Sequence, residues 1–288
     1  MSISADTVKQ LRERTGAGMM ECKKALVETG GDLDAAAELM RKQGLAKADK
    51  KATRIAAEGV IAVERSADGL AAAMVEVNCE TDFVAREHDF RAFAKAVAGR
   101  AVAERPQTLD ALLQAKLDGT ETIEERRRAL VAKIGENIGV RRFAVLVTPQ
   151  HLGAYAHGTR IGALVAVKGG DAQLAHDLAM HVAASNPRYL SQREAPAEVI
   201  AKEREILSEQ AQGEGKPPEI VAKMVEGRLR KFYEEVVLLA QAFVHDPDTT
   251  VAKAVVAAEK AAGAPIKITG FHRFALGEGI DRSSEEAA

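Results

Sequence analysis

Tryptophan is absent from this 288-residue chain, and only three tyrosines and eight phenylalanines supply aromatic rings. So few rings leave little material for the stacking platforms that hold single-stranded nucleic acid. Cysteine is scarcer still. Cys22 and Cys79 lie far apart, in segments of different type, and read as reduced, small apolar residues; two thiols without clustered histidines cannot complete a zinc shell. Forty Lys plus Arg against forty-two Asp plus Glu give a net charge of -2, so the molecule as a whole has no strong attraction for nucleic acid or an anionic membrane. No uninterrupted apolar run is long enough to span a bilayer, and the first residues, Met1 to Asp6, lack the basic start and apolar core of a signal peptide. A soluble, cytoplasmic protein is expected, with no direct nucleic-acid contact and no membrane partner.

Catalytic motifs are missing as well. The nearest approach to a P-loop, Gly213-Glu214-Gly215-Lys216, is followed by two prolines and a charged helix, a setting that cannot cradle phosphate. Gly277-Glu278-Gly279 lacks the third glycine of a dinucleotide fingerprint, and no G-x-S-x-G occurs. His176 and His181 do not have the spacing of a zinc helix, and no Glu lies between them. The histidines therefore read as structural or surface residues, with His157, near a strand end, the one to watch. The Arg126-Arg127-Arg128 run reads as a solvated helix face with ion pairs. No enzyme, no cofactor and no metal are expected.

What is present divides into helical and mixed parts. Residues 1–54 read as a three-helix domain with a basic linker. Val8 and Leu11 mark one helix; Met19, Cys22, Ala25 and Leu26 a second; Leu33, Ala36, Ala37 and Met40 a third. Glycines at 16, 18, 30 and 31 separate them, and Asp32 is available as an N-cap. Met19 and Met20 are adjacent and cannot face the same way, so at least one is expected at the surface. Lys47, Lys50, Lys51 and Arg54 lie among alanines and form the linker, irregular or helical, as a solvated face or a contact for an acidic partner.

Residues 55–149 and 150–277 read as two related α/β core subdomains, each a strand pair, helices and a closing strand. The first pair is Glu58 to Glu64 and Leu70 to Asn78 around the turn Ser66-Ala67-Asp68-Gly69; the second is Leu152 to His157 and Ile161 to Lys168. The closing strands look alike, Arg142 to Leu146 against Arg273 to Leu276. Inserted in the second subdomain, at about 195–237, two charged helices around a Gly/Pro turn read as a protruding hairpin with little core of its own. Its bearing on self-association is open. Residues 278–288 form a short tail. The fold class is α+β.

The stretch Val77 to Arg86 stands out. An apolar strand ends in Asn78-Cys79-Glu80-Thr81-Asp82-Phe83-Val84, placing an acid beside one of the scarce rings at an expected loop tip. Phe83 is either folded back into the core or a projecting wedge.

This stretch, together with Leu11 to Leu26, Lys133 to Ile138, His157 to Gly162 and Ala179 to Ser185, closely resembles the bacterial elongation factor Ts family, in the right order over nearly the whole chain. The resemblance implies a guanine-nucleotide exchange factor that binds GDP-bound and nucleotide-free elongation factor Tu. It also implies a ubiquitin-associated-like N-terminal domain, the paired core and the inserted hairpin. Within the family the Thr-Asp-Phe-Val loop enters the partner near the magnesium and phosphate end of its site. By matching position the contact residues are Thr81, Asp82, Phe83 and Val84, with Arg12, Met19, Met20 and Lys23 from the helical domain, Lys51 from the linker and His157 from the second subdomain. In one respect the chain departs from the family: beyond Ile280 it is short and acidic, where relatives commonly continue into an apolar-faced helix. An RNA-binding scaffold built on Lys47 to Arg54 and the hairpin is the alternative of another class, and would need a steep salt dependence. A small-molecule enzyme has no motif behind it.

Overall fold

Several helix starts fall where a short polar side chain can accept an orphan backbone N–H. Ser4 accepts from Thr7 ahead of α1 (Ala5–Thr15). Asp32 accepts from Asp34 and Ala35 ahead of α3 (Leu33–Lys51), as its position suggested. Between them α2 (Met19–Glu28) starts after Gly18 without a side-chain cap. The computed structural model describes residues 3–213 and 217–281, apart from the side chains of residues 45–47 and 49. The middle of the Gly213 to Pro218 turn and nearly all of the acidic tail, both expected from sequence, lie outside that range, as does the Lys47 side chain.

Val8, Leu11, Cys22, Ala25, Leu26 and Ala36 form the core of the three-helix module. Met19, expected on its buried face, is corrected to the surface. It is the first residue of α2, one turn before the inward stripe begins at Cys22, and Ala17 packs against the core instead. Of the two forms open to the basic stretch, the helical one is found as far as Lys51, where α3 ends.

A first sheet has the order β1 (Glu58–Arg65), β2 (Ala71–Cys79), β3 (Ile138–Val147). Its central strand β2 is buried at every residue. Between β2 and β3 come α4 (Asp82–Arg86), α5 (His88–Glu104), α6 (Leu109–Gln114) and α7 (Ile123–Ile134). Helix α5 buries Phe90, Phe93, Ala94, Val97, Ala98 and Ala101, the stripe expected of a helix laid on a core. Helix α7 begins with a capping box, Thr122 with Glu125, and packs against α3 and α5. Gly44 permits the α3 contact: a methyl group there would lie 3.0 Å from Ala132 Cβ. The expected arginine face on α7 is only partly solvated. Arg127 and Arg128 both bind Glu124, at 2.6 and 2.7 Å, and the Arg127 side chain is 14% exposed.

The second sheet repeats the order with β4 (His151–His157), β5 (Ile161–Lys168) and β8 (Lys267–Ala275). Strands β4 and β5 are antiparallel, with His151 opposite Val167 and His157 opposite Ile161. Helix α8 (Ala172–Ser185) lies so close to β4 that a side chain at Gly153 would strike the Ala175 carbonyl, 1.8 Å from where its Cβ would stand. The core contains Val165, Val167, Leu178, Val182, Leu238 and Phe243, with Val251 and Val255 from α11 (Val251–Ala262) and Ile266 and Ile268. Two short strands, β6 (Ala242–Phe243) and β7 (Asp246–Thr250), precede α11. The inserted hairpin is α9 (Ala197–Gln212) and α10 (Pro218–Val236). It has a small core of its own, with Leu207, Ala211, Val221, Val225 and Leu229 buried between the helices. The architecture is α+β, with an N-terminal helical module, two related sheet-and-helix cores and a helical hairpin within the second.

The chain divides into two compact units. One runs to Glu64, includes Ala73–Ala144 and resumes at Ala275; the other comprises Arg65–Ala72 and Val145–Phe274. No described helix is long and apolar enough to cross a membrane.

In the first unit the central strand carries a charge. Glu76 is fully buried on β2. It accepts hydrogen bonds from Arg141 Nη1 (3.1 Å to each oxygen), Arg142 Nε (2.5 Å), Gly277 N–H (2.8 Å) and Asn78 Nδ2 (3.2 Å). Burial alone would raise its pKa, but the bonds from Gly277, Arg142 and Asn78 and the Arg142 charge outweigh burial and hold the carboxyl below the usual range.

Candidate functional site

The site grows from the end of β2. Thr81, still extended at φ -121 and ψ 155, is the N-cap of α4, and its Oγ1 accepts from Val84 N–H at 3.4 Å. The expected loop tip is therefore the start of a short helix. A single turn offers little stability by itself, and α4 is held from outside at both ends. At its start, Glu136 accepts from Thr81 N–H (3.0 Å) and from the Thr81 hydroxyl (2.7 Å). At its end, Arg91 Nε on α5 donates to the Ala85 carbonyl (3.0 Å). Beneath the turn, the Cys79 thiol donates to the Thr81 carbonyl (3.1 Å). Burial, followed by the nearby Glu136 and Glu58 carboxylates, pushes that thiol up to about 12. It stays a protonated donor and a poor nucleophile.

On this base Phe83 is 77% exposed. Leaving such a ring in water forgoes roughly 1.5–3 kcal/mol of burial. Asp82 beside it is half-buried and paired with Arg86 (2.6 Å). Val84, expected with them at the partner contact, is instead buried and roots the helix in the core.

The other expected residues fall in three places. Arg12 on α1 and Met19, Met20 and Lys23 on α2 are all exposed, the two methionines at 58% and 66%. Lys51, at the end of α3, is partly buried, and its Nζ lies 3.6 Å from the point where a Gly135 side chain would begin. These residues share the first unit with α4. His157 belongs to the second unit, exposed at the end of β4, with Nδ1 3.2 Å from Tyr155 Oη.

Sequence reasoning assigned no role to Glu80, Glu136 or Asn137, although all three lie in the stretches that carry the family resemblance. Glu80 Oε1 accepts from Asn137 N–H (2.6 Å) and Oε2 from Arg54 Nη1 (3.3 Å), and Asn137 Nδ2 donates to the Arg54 carbonyl (2.7 Å). The available signal was chemical: two acids without a basic neighbour in sequence, beside a motif that needs a fixed base. Among the described residues no group of three or more acidic, His or Cys side chains is placed to hold a metal ion.

A ring held in solvent on an externally braced turn has the character of a protein contact surface. The family model for elongation factor Ts matches residues 80–278. The chain is 57% identical to elongation factor Ts of Alkalilimnicola ehrlichii and 56% identical to that of Methylococcus capsulatus, in each case over 100% of this chain and 97% of the relative. Identity to elongation factor Ts of Halorhodospira halophila is 54% over the same shares. This chain belongs to the elongation factor Ts family. Its setting is accordingly the elongation stage of translation.

Proposed function

We propose that the chain is a guanine-nucleotide exchange factor for elongation factor Tu, acting in the cytoplasm by inserting the Asp82–Phe83 turn near the magnesium and phosphate end of the partner's nucleotide site. The observation that carries the reading is the exposure of Phe83 on a turn braced at both ends. A ring fixed in water gains apolar burial when a partner opens a crevice for it. If that crevice exists only when the nucleotide site is disturbed, the factor binds the empty partner better than the GDP-bound one. By reciprocity, GDP then weakens the factor's hold by the same ratio. Asp82 adds a negative charge where phosphate and magnesium are ordered, competing for their partners or repelling anionic ligands. No bond is made or broken.

In this reading Arg12, Met19, Met20 and Lys23 hold the same domain of the partner, with the methionines as adaptable apolar contacts. Lys51 adds charge, and His157 provides a contact from the second core. The divisions at 54, 149 and 277 mark the functional parts. The test is release of labelled GDP from elongation factor Tu by a catalytic amount of this protein. Acceleration is expected, with a fall of ~10-fold or more for Phe83→Ala, the loss typical of one interface anchor. Wild-type acceleration by that variant removes the wedge.

A further inference from the structure

Two segments far apart in sequence meet beneath Phe83. Gly135 closes α7 in the left-handed conformation (φ 90), and the next two residues reach the end of β2. Glu136 takes both donors of Thr81, its N–H and its hydroxyl. Glu80 takes the Asn137 N–H in return, and Arg54 joins both Glu80 and Asn137. The Thr81 hydroxyl is thereby committed, donating to Glu136 while accepting from Val84 N–H. That second bond defines where α4 starts, and so the direction in which its second residue, Phe83, leaves the helix.

We infer that Glu136, with Glu80, Asn137 and Arg54, forms a clasp that sets the bearing of Phe83, and that Glu136 is a positioning residue for nucleotide exchange. The inference rests on the wedge reading. One five-residue turn cannot fix its own axis, whereas a carboxylate accepting from the backbone and side chain of the capping residue can. The chemistry calls for a carboxylate. Thr81 presents two donors, and Glu has two acceptor oxygens; Gln has one acceptor and turns an NH₂ toward the other donor. Through Arg54 the clasp also joins the wedge to the chain leaving α3, so the turn and the helical module present their contact residues from one frame.

The experiment measures GDP release from elongation factor Tu as kcat and KM for wild type, Glu136→Gln, Phe83→Ala and the double variant. Glu136→Gln is expected to lower kcat ~10-fold, the effect of losing one charge-assisted hydrogen bond, while KM stays within about twofold because the α1 and α2 contacts are untouched. The double variant is expected to be no slower than Phe83→Ala alone, since a bearing has no value once the ring is gone. Thr81→Val, which removes the hydroxyl that donates to Glu136, is expected to behave as Glu136→Gln. Wild-type kcat in Glu136→Gln, or losses that add in the double variant, overturns the clasp while leaving the wedge in place. If Phe83→Ala exchanges normally the wedge itself fails. The clasp is then judged by amide hydrogen exchange: faster exchange at residues 81–86 in Glu136→Gln, with β2 unchanged, sustains it, and equal protection overturns it.

Discussion

Asp82 and Arg86 lie one turn apart on α4, with an Arg86 guanidinium nitrogen 2.6 Å from the Asp82 carboxylate. Their side chains are 48% and 70% exposed, so solvent screens the pair and its contribution to stability is below about 1 kcal/mol. Its consequence is electrostatic: in the free protein the charge proposed to act on the partner is already partly neutralised. Arg86→Ala is expected to move the thermal midpoint by no more than about 2 °C and to leave GDP release at or above the wild-type rate. Asp82→Ala is expected to lower kcat by ~10-fold. A larger loss in Arg86→Ala than in Asp82→Ala would show that the partner reads the arginine instead.

Phe83 and Val84 are neighbours with opposite surroundings, and their alanine variants separate contact from scaffold. Phe83→Ala removes a ring that is 77% exposed, so unfolding stability is expected to change by less than about 0.5 kcal/mol while exchange falls. Val84 is 7% exposed, and Val84→Ala is expected to cost about 1–3 kcal/mol. Urea unfolding of the two variants beside the exchange assay checks both halves.

Much of this arrangement is legible in the chain because local chemistry decides it. Asp32 before an apolar helical stripe and the Ser66 to Gly69 turn between two apolar runs each carry their own partner nearby. The clasp does not, since Thr81 and Glu136 are 55 residues apart and no pattern in either segment names the other. The burial of Glu76 is hidden for a similar reason, since its counter-groups arrive from β3 and from Gly277, 201 residues later. The start of α4 read as a loop tip because five residues are too few to show a helical period.

Gly44 tests the docking of the helical module. With Ala132 Cβ 3.0 Å from the position of an added methyl, Gly44→Val overfills the crossing of α3 and α7, and a loss of about 1–3 kcal/mol is expected. Gly44→Ala gains up to ~1 kcal/mol of helix propensity against a smaller clash, and is expected to lie between wild type and valine. Thermal unfolding ranks the three proteins, and a valine variant as stable as wild type would show that the two helices separate freely.

Glu76 predicts an acid limit for the first unit. Its folded pKa is held below the ordinary 4.5, so the unfolded chain takes up its proton first as pH falls. The stabilisation is complete above about 4.5 and is lost as pH drops below that value toward the folded pKa. Glu76→Gln is expected to cost ~3 kcal/mol at neutral pH, because Arg141 and Arg142 lose the buried carboxylate they share, and to flatten the stability profile below pH 4.5. Unfolding followed from pH 7 to 3 reads both effects, and an unchanged slope in the variant would assign the acid limit to another carboxylate.

His181 sets a second and milder limit within the other unit. Its Nδ1 lies 3.2 Å from the Val244 backbone N–H and accepts from it, so the ring proton sits on Nε2 and is donated to Gln241 Oε1 at 3.0 Å. Gln241 in turn donates to the carbonyls of Ser185 (3.1 Å) and Glu235 (2.7 Å), joining the end of α8 to the end of α10. Burial pushes the His181 pKa below 6.5; the Gln241 bond opposes that shift, and the charge of His245 adds to it. A protonated ring would turn a donor toward the Val244 N–H, so the native state resists the proton that the unfolded chain accepts. Stability is therefore full above about pH 6.5 and falls as pH drops through that value. Urea midpoints between pH 7.5 and 5.5 are expected to fall for the wild type and to fall less steeply for His181→Gln, which starts lower because the Val244 bond is lost. Parallel slopes in the two proteins would show that His181 does not carry the acid limit of this unit.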